Sequence, residues 1–309
     1  MTNTTKRASV RHRSLGSWTR FDVINTLIVL AVTIVTIYPL YFCVIASFSD
    51  PKEVALGHVL LWPVKFSTEA YKYVLKENSL WIGYRNTIIY TLFGTLYNLC
   101  LTIPCAYVLT KKYLPFRGAL SWYFFITMYF SGGMIPTYLL IKSLGLIDNP
   151  LALILGVGVN CYNMIVTRQY FSSSIPQDIY EAAQIDGAGE WTCFTRIALP
   201  LAKPIIAVMA LYYGVNHWNS YYNALLYIRS DKFYPLQLVL RGILISNELS
   251  MAGFENADAE TAQYMIHRAE VAQAMKYAIV FIASAPLLVA YPFLQKYFTK
   301  GIMIGSVKG

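Results

Sequence analysis

Asn216, His217, Trp218, Asn219, Tyr222 and Asn223 fall within eight residues of one largely apolar stretch. Carboxamides both donate and accept hydrogen bonds, and aromatic faces pack against the apolar faces of sugar rings. Five of these residues, Asn216, Trp218, Asn219, Tyr222 and Asn223, are therefore candidates for the wall of a path taken by a polyhydroxylated molecule. Polar side chains at membrane depth face the interior of a helix bundle. Hydrogen bonds between helices, with a belt of aromatic rings at the lipid boundary, account for the same residues equally well. Asn86, Asn98, Asn160 and Asn163 are read as interhelical hydrogen-bonding groups of this second kind.

A second constellation lies between Pro176 and Pro204. Pro176, followed by Asp178, opens a short helix, and Gly187 and Gly189 end it. Ile179, Ala183 and Gly187 are spaced by four and share a face with little bulk. Glu181, Asp186 and Glu190 add acidic groups that could pair with a basic partner. Some thirty residues are long for an idle connection between helices, so the segment reads as a docking element rather than a mere connector.

Other chemistry is excluded. The chain contains no H-E-x-x-H and no G-x-S-x-G, so no catalytic residue is assigned and a membrane protease or hydrolase has no motif behind it. It contains no G-x-x-x-x-G-K-[ST], the loop that cradles nucleotide phosphates. Cys43, Cys100, Cys105, Cys161 and Cys193 form no C-x-x-C pair and no zinc pattern. No metal ligands and no cofactor are expected in this chain, and a nucleic-acid partner is excluded by the lack of a basic soluble face.

The elements that must hold these residues are membrane helices. The chain has 309 residues, 56% hydrophobic and only 13% charged, against about 25% charged in soluble domains. Six apolar stretches qualify as spans: Val23–Ala46, Tyr84–Leu109, Ala119–Ile141, Leu151–Arg168, Leu201–Tyr222 and Ala274–Lys296. The first is longer than the ~7–15 residues of a signal-peptide core and matches the ~20 needed to cross a bilayer. It is read as a retained span. The net charge is +9, with Lys6, Arg7, Arg11, Arg13 and Arg20 before the first span and Lys111, Lys112 and Arg117 in a short connector. Basic flanks mark the cytoplasmic side, which places both termini and residues 175–204 inside the cell. The expected organisation is a basic segment 1–22, a transmembrane domain 23–298 and a tail 299–309. Pro39, Pro104, Pro136, Pro286 and Pro292 fall within spans, where neighbouring groups satisfy the freed backbone.

Glu181-Ala182-Ala183, then Gly187, Ile197 and Leu199-Pro200, keep the residue types and spacing of the EAA loop, and the chain resembles bacterial ABC importer permeases. Asp186-Gly187-Ala188, Phe194 and Lys203-Pro204 resemble its maltose-type carbohydrate branch. Gly132 to Tyr138, His217 to Leu226, Tyr234 to Gln237 and the tail from Lys300 are similar to the LplC/YtcP-like group of oligosaccharide and polysaccharide permeases. The resemblance implies an all-α, six-helix type I importer permease in the bacterial plasma membrane, with a cytoplasmic coupling helix. It implies that Glu181, Ala182, Ala183, Asp186, Gly187, Ile197, Leu199 and Pro200 couple the chain to an ATPase. It further implies a homologous second permease, two ATPase subunits that use ATP and Mg, an extracytoplasmic solute-binding protein, lipid and a carbohydrate cargo. A non-sugar cargo and a stand-alone secondary transporter are the alternatives.

Overall fold

A computed structural model of the chain describes residues 19–156, 158–250 and 259–305. Among these residues the regular structure is helical. Thr19 and Asp22 cap each other's backbone N–H groups at 3.0 and 3.2 Å and start α1, Arg20–Ser47. Two reciprocal bonds of this kind satisfy donors that a helix N-terminus otherwise leaves open. α1 exposes nearly all of its apolar side chains, which is the surface a helix in lipid presents. Lys6, Arg7, Arg11 and Arg13 lie outside the described residues, as does Lys308.

Two short helices follow, α2 (Pro51–Ala55) and α3 (Glu69–Lys76), before α4 (Asn78–Val108). α4 is organised inside out. Its buried stripe runs Leu80, Gly83, Thr87, Tyr90, Gly94, Asn98, Thr102 and Ala106, at helical intervals of three and four. The stripe is small and polar, while Leu92, Phe93 and Leu96 face outward. Without a hydrophobic drive between helices in lipid, small residues that permit close approach and polar groups that bond across become the packing face.

α5 (Arg117–Tyr129) and α6 (Met134–Ser143) meet at a 112° bend. Gly133 has φ +85° there, a conformation that glycine adopts at little cost. α7 (Leu151–Leu155) and α8 (Cys161–Ser174) follow. α9 (Gln177–Ile185) precedes α10 (Glu190–Leu201), which bends by 77° into α11 (Lys203–Trp218). Within α10, Cys193–Ala198 is wound as a π-helix. Pro200 has no N–H for the carbonyl one turn earlier, and this widened turn sits just ahead of it. α12 (Tyr222–Tyr227), α13 (Leu236–Ser250) and α14 (Ala259–Gly305) complete the order.

Among the described residues, three helices are long and apolar enough to cross a membrane, or up to five if each bent pair is one span. The count of six spans expected from hydropathy is therefore not reproduced in full. The stretch 151–168 is divided between α7 and α8, with Asn160 capping α8 by accepting the Asn163 N–H at 3.1 Å. The stretch 119–141 contains the sharp α5–α6 bend. α14 continues past residue 298 as far as Gly305.

α4 and α11 form the most extensive helix pair. On one side of the pair lies a core of Ile103, Tyr107, Met164, Phe171, Phe194 and Met209, and towards the opposite end α4, α11, α13 and α14 enclose a second one.

Candidate functional site

The α4–α11 contact is close because Gly94 has no side chain. A methyl group there would lie 2.8 Å from His217 Nδ1 and nearer still to Cε1 and Nε2. With the imidazole seated on Gly94, His217 Nε2 donates to Asn98 Oδ1 at 2.7 Å, which fixes the tautomer. Asn98 in turn donates from Nδ2 to the Gly158 carbonyl at 2.8 Å. One turn along, Tyr213 Oη accepts the Asn160 N–H at 3.1 Å and shares a 2.7 Å hydrogen bond with Thr102. These bonds tie α4, α11 and the break between α7 and α8 into one polar wall.

That wall bounds a cavity of about 390 Å³, lined among others by Asn98, Asn160, Asn163, Tyr212, Asn216 and Asn223. A shallower depression beside it is lined by Asn216, Asn219, Tyr221, Tyr222 and Asn223. The space presents carboxamides and phenol edges, which can meet hydroxyl groups as donors and acceptors. A few placed polar groups in a concavity of a few hundred Å³ have the form of a small-molecule site.

Four of the five pathway candidates named from the sequence, Asn216, Asn219, Tyr222 and Asn223, border these two spaces. Trp218 is the correction. Its side chain is buried, and its indole N–H donates to the Ala283 carbonyl in α14 at 3.0 Å. Helical geometry rotates successive residues by about 100°, so Trp218 leaves the wall while its neighbours two positions away reach it. Asn98, Asn160 and Asn163, read from the sequence as interhelical groups, all line the cavity; Asn98 and the Asn160 N–H bond between segments, while the hydrogen bonds of Asn163 stay within the first turns of α8. Asn86 does not line the cavity: it donates to the Lys232 and Tyr234 carbonyls, between α12 and α13, at 2.8 and 3.0 Å and accepts from Arg85. The signal for the missed residues is the Gly156-x-Gly158-x-Asn160 run, which breaks a helix at the depth of Asn98.

The second site is the α9–α10 segment. Gln177–Ile185 is helical, with Pro176 as its N-cap and Asp178 in its first turn, as the sequence requires. Gly187 follows with φ +83°. Glu181, Ala182, Asp186, Gly187 and Pro200 are exposed, while Ile197 and Leu199 are half-buried against the core below. The small-residue face is corrected in part: Ala183 turns inward onto that core, and Gly187 lies beyond the end of α9. The outward surface gains Ile185, 87% exposed, and Trp191, 74% exposed.

Charges brace this segment. Lys111 Nζ lies 3.3 Å from Glu190 Oε2, and Gln184 Nε2 donates to Glu190 Oε1 at 2.9 Å. Burial raises the Glu190 carboxyl, but the hydrogen bond from Tyr113 and the charge of Lys111 outweigh it and hold it below the usual carboxylate range. Burial, with Cys193 and Glu190 nearby, pushes the Tyr180 phenol up to about 12.

Residues 79–304 match the family described as binding-protein-dependent transport system inner membrane component. Protein LplC of Bacillus subtilis (strain 168) is 41% identical over 94% of this chain and 95% of its own length. The polygalacturonan/rhamnogalacturonan transport system permease protein YtcP of the same organism is 35% identical over 94% of this chain and 98% of its own. Among solved structures, a chain of a bacterial ABC transporter involved in import of the acidic polysaccharide alginate superposes with a TM-score of 0.80 and 31% identity. That match covers 91% of this chain and 99% of the other.

Proposed function

Since this chain belongs to the family of binding-protein-dependent transport system inner membrane components, we propose that it is the multi-pass permease subunit of an ATP-driven importer whose cargo is an oligosaccharide or polysaccharide. The observation that carries the carbohydrate reading is the cavity between α4, α8 and α11. Its lining brings five carboxamides, four tyrosines and a hydrogen-bonded histidine together beside the apolar side chains of Ile141, Ala152 and Leu153. Such groups match a ligand rich in hydroxyls, and the names of YtcP and of the alginate importer point to the same class.

In this reading Asn216, Asn219, Tyr222 and Asn223 line the path. Glu181, Ala182, Ala183, Asp186 and Gly187 form the cytoplasmic coupling surface, with Ile197, Leu199 and Pro200 seating it. The partners are a homologous permease, two ATPase subunits and an extracytoplasmic binding protein, and ATP and Mg act on the ATPases. Both termini are cytoplasmic. Nucleotide-driven closure of the ATPases moves α9 and α10, and that displacement changes which side of the membrane the cavity faces.

Reconstitution of the whole complex tests this. Its binding protein, loaded in turn with oligogalacturonides, alginate oligomers, maltooligosaccharides and amino acids, is added and ATP hydrolysis is measured. Stimulation by one of the saccharides is the expected result. Stimulation by amino acids alone overturns the carbohydrate assignment.

A further inference from the structure

Lys111 stands where a flanking lysine would be solvated, two residues beyond the C-cap of α4. Its side chain is nevertheless only 8% exposed. The ammonium sits 4.1 Å from the centre of the Tyr180 ring and 4.4 Å from that of Tyr107, with Glu190 as its ion-pair partner at 3.3 Å. Cations over aromatic faces are held most strongly when desolvated, and a lysine this buried requires such partners. The four side chains come from four pieces of chain: Tyr107 from α4, Lys111 from the turn after it, Tyr180 from α9 and Glu190 from the first residue of α10. Tyr107 Oη also donates to Glu190 Oε2 at 3.3 Å, and the Tyr107 ring packs on Phe194 with 5.0 Å between centroids.

The consequence is mechanical. α4 carries Gly94, Asn98 and Thr102 at the cavity wall, and its other end is fastened to α9 and α10 by the Lys111 ammonium together with the hydrogen bond and ring packing of Tyr107. Coupling between distant sites needs a contiguous element that both sites bias. We infer that Lys111 is a positioning residue for transport: it locks α9 and α10 to the end of α4, so that a displacement of the coupling surface moves the cavity wall. Lys111 touches neither cargo nor nucleotide in this role. The inference rests on the coupling role proposed above for α9.

The test uses the complete reconstituted complex in a background with the five native cysteines replaced and with Thr137→Cys as a reporter on the cavity lining. Labelling by a membrane-impermeant maleimide is followed with and without ATP and vanadate. With Lys111 intact, the labelling rate changes several-fold on trapping. Lys111→Met hydrolyses ATP at the basal rate and assembles normally, yet its labelling rate no longer responds. Lys111→Arg, which keeps the cation, restores at least half of the response. A Lys111→Met complex that responds like the parent overturns the inference and leaves the coupling role of α9 intact. A parent complex that shows no response overturns the coupling role itself, and the inference with it. Loss of assembly in Lys111→Met is resolved by Glu190→Gln, which keeps the packing and removes the anion. Its response is expected to fall at least twofold, and an unchanged response counts against the clamp.

Discussion

Gly94 and Gly187 sit in the two functional regions, and each resists replacement for a different reason. At Gly94 the backbone is ordinary helix and the obstacle is a neighbour, since the His217 ring occupies the space of a side chain. At Gly187 nothing lies within 4 Å of a built Cβ, and the obstacle is the chain's own φ of +83°. The cavity region is thus determined by packing between helices. The α9–α10 region is determined by local backbone and charge. The first is stiffened by neutral amides bonded across α4, α8 and α11, and the second by a lysine caged between two rings and a carboxylate.

The sharpest way to break this contrast is Gly94→Ala. Overpacking a tight helix contact costs about 1–3 kcal/mol, and here it also drives His217 off Asn98. The variant should melt lower in detergent and lose much of its uptake in the reconstituted complex, because the polar wall loses its His217–Asn98 bond. A Gly94→Ala chain with parental melting and uptake would mean that α4 and α11 do not approach as described.

Gly187 should respond to residue type rather than size. Asn tolerates positive φ, whereas a β-branched residue does not, at a cost of about 1–2 kcal/mol. Gly187→Val should lower the melting temperature modestly, because the strain lies in the backbone of the turn itself, and lose most of the ATPase stimulation given by loaded binding protein. Gly187→Asn should retain at least half. Equal loss in both would indicate a surface that needs flatness rather than a particular turn, and the contrast with Gly94 would collapse into one steric rule.

These two glycines also mark what the sequence discloses. α9 was legible because its signals are local: a proline before it, an aspartate in its first turn and a glycine after it. The inside-out stripe of α4 is likewise periodic. Trp218 was not legible as a core residue, because Asn216, Trp218 and Asn219 share one polar-aromatic run and only the rotation of α11 decides which of them meets α14. The division between α7 and α8 was hidden by hydropathy, which averages across Gly156 and Gly158. Lys111 read as a flanking charge. Its burial depends on Tyr180 and Glu190, 69 and 79 positions away in the chain, and no local pattern announces that contact.

Trp218 and Asn223 offer a smaller and more specific test, within the cavity region alone. Trp218→Phe removes the indole N–H that meets the Ala283 carbonyl. That should lower stability by about 0.5–1.5 kcal/mol and leave the apparent KM for saccharide unchanged. Asn223→Ala should do the reverse, raising KM with little change in melting. If Trp218→Phe alters KM and Asn223→Ala does not, the wall has been assigned to the wrong face of α11.

The smallest effect is expected at the turn between α6 and α7, where charge supports packing. Asp148 has φ +57°, and its carboxylate accepts the Arg229 and Ser230 N–H groups at 3.0 and 2.8 Å. The Ser230 hydroxyl and these two N–H groups hold it below the usual carboxylate range. A depressed folded pKa stabilises the fold above the unfolded value, about 3.9, and that contribution disappears as pH falls through the folded value. Asp148→Asn keeps the shape and the tolerance of positive φ but lacks the charge. Its melting temperature should sit slightly below that of the parent at pH 7, with the gap closing below about pH 4 as the parent's carboxylate takes up its proton. A gap of constant size across that range would assign the loss to amide geometry instead of charge. The cavity region would then owe nothing to ionised groups at this turn, and its contrast with the lysine-caged α9–α10 region would be complete.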